Sequence, residues 1–126
     1  MQPSIDVPQA RFFARVLSIE VARVTERAAV AAAIFRGQRL PDSAVNAATK
    51  TIVRELGKLP IAGTIVTSGE GERDGIPTRL ENKLVGRPEG GFEVDVAVDP
   101  LDGRSLCAGN MPGAVTVLAI AEKAVC

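Results

Sequence analysis

The sequence contains no histidine, no tryptophan and no tyrosine. Without histidine, Ser-His-Asp and Cys-His catalysis within this chain are excluded, and so is any imidazole-ligated metal. Four phenylalanines are the whole aromatic complement, and 15 basic side chains are cancelled by 15 acidic ones. With neither a stacking platform nor a basic excess, nothing argues for a nucleic-acid partner. No apolar run approaches the length of a membrane span. Met1 to Ala10 lacks the charged start and apolar core of a secretion signal. The two cysteines, Cys107 and Cys126, form no CxxC or zinc spacing, so a reduced, cytoplasmic protein is expected. Chemistry here must rest on carboxylates, hydroxyls, Lys, Arg and the backbone.

What remains is 126 residues, 46% of them hydrophobic, enough for one small domain with a real core. Residues 1–8, with Pro3 and Pro8, read as a loose tail, and 9–126 as the domain. From Gln9 to Phe35 apolar residues (Phe13, Val16, Leu17, Val21, Val24, Ala28, Ala31, Phe35) recur at three- and four-residue steps, which predicts a helix. The alanine-rich run Ala28 to Ala33 suits close packing. Asp42 and Ser43 read as the N-cap of a second helix to Leu56, with Val45, Ala48, Ile52, Val53 and Leu56 buried and Gly57 as C-cap. Lys50, Arg54 and Lys58 fall on its outer face as solvated charges. Gly63 to Ser68 predicts a short strand, and Ala114 to Glu122 a strongly apolar one. Thr78 to Val85 fits a helix or a strand equally. Helices on one layer of sheet give an α/β or α+β domain. The chain breaks off just after its last strand, so a fragment of a longer fold is expected.

The stretch that organises the rest is Glu93 to Arg104, E-V-D-V-A-V-D-P-L-D-G-R. Val94, Val96 and Val98 alternate with Asp95, Ala97 and Asp99, the period of a strand with one apolar face. Pro100, lacking an N–H, is expected to stop the strand, and Asp102-Gly103 to complete a tight turn where a ligand can approach the backbone. Asp-Pro and Asp-Gly are also ordinary turn dipeptides, so a purely structural reading stands beside a functional one.

A second acidic segment, Glu70, Glu72 and Asp74, follows the first strand. If both strands share a sheet with their C-terminal ends on one side, five carboxylates crowd one rim. Two carboxylates ~4 Å apart repel by about 4 kcal/mol at an effective dielectric near 20, so the rim calls for cations. Oxygen donors select Mg²⁺, Mn²⁺ or Ca²⁺, and phosphoester hydrolysis suits such a metal site. Gly103 and the N–H groups after it could cradle phosphate, with Arg104 as a bidentate partner. Glu72 and Asp74 fit a solvated loop equally well, and Arg104 a surface residue. Glu70 to Glu81 also approximates a calcium-loop spacing, entered from a strand instead of a helix and carrying Pro77 where that loop needs a donor.

V-D-V-A-V-D-P-L-D-G resembles the metal-binding signature of the lithium-sensitive phosphatase superfamily. G-T-I-V-T-S-G-E-G-E-R-D-G-I-P, at its spacing from that block, is similar to the bacterial class II fructose-1,6-bisphosphatases. R-V-T-E-R-A-A, D-S-A-V-N-A and V-L-A-I-A-E-K extend the resemblance from about Ile19 to the end. The resemblance implies a layered α/β sandwich, N-terminal portion only, of an Mg²⁺- or Mn²⁺-dependent phosphatase that releases the 1-phosphate of fructose 1,6-bisphosphate in gluconeogenesis. It places Asp42, Glu70, Asp99 and Asp102 among the metal ligands, with Glu70 also in the catalytic set. Asp74 becomes an acid that assists the attacking water. Asp102, Gly103, Arg104 and Ser105 fall on the substrate's phosphate-binding turn. The turn departs from the family at Arg104, where the family has Thr, and at Asp102, where Glu is usual. An inositol- or polyol-phosphate phosphatase, or a non-catalytic homologue that binds metal or a partner, are the competing expectations. A homo-oligomer stays open.

Overall fold

The computed structural model describes residues 7–68 and 82–123, and side chains from Arg15 onward. Two helices lie on one face of a four-stranded sheet. Helix α1 spans Val7–Ala33 and α2 Pro41–Leu56; the strands are β1 (Ile61–Thr67), β2 (Leu84–Gly86), β3 (Phe92–Asp102) and β4 (Val115–Glu122), with a short helix α3 (Arg104–Ala108) between the last two. The sheet order is β2-β1-β3-β4. Strands β1 and β3 are parallel, and β2 and β4 flank them antiparallel. This is the expected α/β arrangement, with β2 and α3 added.

Alternation explains the layers. Ile61 and Ile65 of β1 and Val94, Val96 and Val98 of β3 point to the helices and are buried. There they meet Val45, Ala48, Ile52 and Leu56 of α2, while Val24, Ala28 and Ala32 of α1 join the same core. Alanines at 28, 32, 44 and 48, all nearly or fully buried, let the two helices approach closely. Burying a Val or Ile side chain stabilises by about 1.5–3 kcal/mol, so these stripes position everything that follows.

Four boundaries differ from the sequence reading. Helix α1 starts at Val7, inside the segment read as a tail, because proline is tolerated in a first helical turn. It ends at Ala33, before Phe35, and Val16 is exposed instead of buried. Helix α2 begins at Pro41 with Leu40 at the cap position and no side-chain cap; Asp42 lies inside the first turn, where its charge complements the helix dipole. Strand β3 does not stop at Pro100 but runs to Asp102. The β3–β4 register shifts between Asp99 and Asp102, so the missing N–H falls in a bulge instead of the ladder. On its other side β3 is paired with β1 only as far as Ala97.

The charges of α2 are less idle than their exposure suggests. Glu55 is 4% exposed and is engaged by Arg27 of α1, by Lys58 at 2.6 Å and by Arg54 at 3.6 Å. Lys50 alone remains a plain solvated charge among the three expected.

Candidate active site

The pairing of β1 with β3 decides the geometry. Because these strands are parallel, their C-terminal ends lie on one side of the sheet. The chain leaving β1 at Ser68 and the end of β3 at Asp99 to Asp102 therefore open onto the same rim. Glu70, Glu72, Asp74 and Glu81 lie outside the described residues, so the acidic loop after β1, and the calcium-loop alternative with it, have no geometry to report.

Within the rim, β3 delivers Asp99 half-buried and Asp102 exposed, separated by the buried Pro100 and Leu101. The Thr116 hydroxyl of β4 donates to the Pro100 carbonyl at 2.9 Å, fixing the bulge. Gly103 then turns the chain at φ 90, a left-handed conformation that favours glycine. A Cβ there would lie 3.2 Å from Leu106 Cδ1 and 3.3 Å from the Ala114 backbone. On that side the close approach is made by the chain itself. The N–H groups of Leu106 and Cys107 donate to the Gly103 carbonyl at 2.9 and 3.1 Å and start α3. Ser105 is exposed at its first turn.

Helix α3 is clamped from below. The loop after α1 donates Gly37 N–H to the Cys107 carbonyl at 2.9 Å and Arg39 N–H to the Ala108 carbonyl at 3.1 Å. Cys107 is a buried free thiol whose Sγ lies 3.7 Å from the Ala32 carbonyl oxygen. This docking brings the start of α3 beside the start of α2. Arg104, with its side chain 9% exposed, places Nη1 2.9 Å from Asp42 Oδ1. The two residues are 62 positions apart, and their meeting joins the phosphate-turn candidate to the first helical turn of α2. Arg104 is thus a buried ion-pair partner and not a surface residue. Sequence periodicity offered no signal for that pairing.

Carboxylate oxygens at this rim are hard donors of the kind that Mg²⁺ and Mn²⁺ take. Among the described residues, no three His, Cys, Asp or Glu side chains converge to hold an ion, and the Asp42 carboxylate is engaged by a guanidinium. The described residues match a divalent cation in donor chemistry but do not assemble its cage.

A family model described as bacterial fructose-1,6-bisphosphatase, glpX-encoded, matches residues 15–125. The chain belongs to this family. Curated relatives agree. A D-fructose 1,6-bisphosphatase class 2/sedoheptulose 1,7-bisphosphatase of Thermosynechococcus vestitus is 38% identical, over 86% of this chain and 34% of its own length. Proteins of the same name from Prochlorococcus marinus (strain MIT 9303) and Synechococcus elongatus are 40% and 36% identical, each over 86% of this chain and over 32% and 34% of their own lengths. The chain spans about a third of the length of these relatives. The class II bisphosphatase resemblance carried by the two acidic blocks is thereby shown. Of the residues singled out in the sequence, Asp99 and Asp102 lie at the end of β3, Gly103, Arg104 and Ser105 at the start of α3, and Asp42 in the first turn of α2, joined to them through Arg104.

Proposed function

We propose that the protein carrying this chain is a divalent-cation-dependent sugar-bisphosphate phosphatase. It hydrolyses fructose 1,6-bisphosphate to fructose 6-phosphate and phosphate, with Mg²⁺ or Mn²⁺ as the ion. One observation carries the reading: β1 and β3 are parallel, so Asp99 and Asp102 at the end of β3 share a rim with the C-terminal end of β1, after which the sequence carries its second acidic block. Membership of the bisphosphatase family supplies the reaction class. The names of the relatives add sedoheptulose 1,7-bisphosphate as a second substrate to test.

In this reading Asp99 and Asp102 present carboxylate oxygens at the end of a strand whose inward neighbours Val96 and Val98 are buried. Their spacing is therefore set by the sheet and not by a mobile loop. The Asp102-Gly103 turn and the amides that follow offer N–H donors to the substrate phosphate. Glu70 completes the acidic set, and Asp74 takes a proton from the attacking water. The cytoplasm, where sugar phosphates are held, is the proposed location, and no helix among the described residues is long and apolar enough to cross a membrane.

The test is phosphate release by the whole protein from fructose 1,6-bisphosphate, sedoheptulose 1,7-bisphosphate, inositol 1-phosphate and glycerol phosphate, each with Mg²⁺ and with Mn²⁺. Preference for the ketose bisphosphates is expected. No release from any sugar bisphosphate with either ion refutes the proposal.

A further inference from the structure

Arg104, where the resemblance places a threonine, has its guanidinium paired inside the protein. Nη1 of Arg104 lies 2.9 Å from Asp42 Oδ1, and the arginine side chain is 9% exposed against 39% for the aspartate. Its reach is set by backbone. Gly103 precedes it in the left-handed turn, and α3 is held by Gly37 N–H and Arg39 N–H on the Cys107 and Ala108 carbonyls. A guanidinium keeps its charge at every accessible pH and is a strong partner for a carboxylate.

We propose that Arg104 is a tethered counter-ion: it holds the Asp42 carboxylate in the place of a divalent cation, and the metal must compete with it. The inference rests on the phosphatase reading, in which Asp42 is a metal ligand. Its consequence is that this protein binds its ion more weakly than its own Arg104→Thr variant would. The carboxylate gives up one cation before accepting another, and the two positive charges repel across the shared oxygen atoms. A phosphate monoester that drew the guanidinium away would return Asp42 to the metal, coupling substrate and metal binding through one side chain.

The experiment is calorimetric and paramagnetic titration of the whole protein with Mn²⁺ alone. Wild type is compared with Arg104→Thr, Arg104→Met, Arg104→Lys and the double variant Asp42→Asn/Arg104→Met. Circular dichroism checks the fold of each. The expected result is Mn²⁺ affinity at least about 10-fold tighter in the Thr and Met variants, equivalent to about 1.4 kcal/mol. The lysine variant, which keeps the charge, should stay near wild type, and the double variant should lose the gain. Equal or weaker affinity in both neutral variants overturns the proposal while leaving the phosphatase reading intact. Absence of Mn²⁺ binding at millimolar concentration in every protein, wild type included, overturns both.

Discussion

Replacing Gly103 by alanine tests how tightly the end of β3 is built. At φ 90 a Cβ meets the steric penalty of left-handed backbone, about 1–2 kcal/mol. It would also crowd Leu106 Cδ1 at 3.2 Å and the Ala114 backbone at 3.3 Å. The leucine terminus can rotate; the strand-side backbone of Ala114 cannot move without disturbing the start of β4. Crowding of this kind adds about 1 kcal/mol, for a total loss of about 2–3 kcal/mol. Gly90 is the internal control. Its φ is 84, yet nothing lies within 4 Å of the position a Cβ would take, so Gly90→Ala should cost about 1–2 kcal/mol from backbone alone. Urea unfolding of both variants, with a common slope, reads the difference directly. A Gly103→Ala variant no less stable than Gly90→Ala would show that the turn relaxes freely and does not hold Asp102 and Arg104 in place.

The Asp42–Arg104 pair should respond asymmetrically to truncation. Arg104→Met leaves a carboxylate that is 39% exposed and can hydrate, costing about 1 kcal/mol, whereas Asp42→Ala withdraws a carboxylate from a buried guanidinium and should cost about 2–3 kcal/mol by urea unfolding. For Glu55 the partners Arg27, Arg54 and Lys58 are 57%, 65% and 60% exposed, so Glu55→Leu strands no buried charge and should change stability by less than about 1 kcal/mol; a loss above 3 kcal/mol contradicts that picture. Ile52→Ala, at a fully buried position facing the sheet, should cost about 2–4 kcal/mol in the same assay.

The features that sequence made legible are those written in short periods. The valines at 94, 96 and 98 declared a strand with one buried face, and the stripe of Val45, Ala48, Ile52 and Leu56 declared a helix. Burial follows the repeat at each of these positions, whereas Val53, read as part of the same helical stripe, is only half-buried. In the sequence a shared rim is conditional on the two strands ending on one side of a sheet, and the parallel pairing of β1 and β3 meets that condition; the acidic segment after β1 lies outside the described residues. What escaped depends on contacts between distant elements. Pro100 stays in β3 because the register shift absorbs it, and no local rule locates a bulge. Glu55 lies beside Leu56 and three residues after Ile52, on the buried side of α2, and is 4% exposed. Arg104 meets Asp42 only because the loop after α1 docks on α3, and nothing near either residue in sequence points to the other.

Phosphate release from fructose 1,6-bisphosphate by the whole protein, compared between wild type and Asp99→Asn at saturating Mn²⁺, tests most directly whether the end of β3 is the seat of the chemistry. The substitution is isosteric and removes one charge from the rim, so the fold should persist. A fall in turnover of at least about 100-fold, or about 2.7 kcal/mol, is predicted. An Asp99→Asn protein that turns over at the wild-type rate would contradict the account.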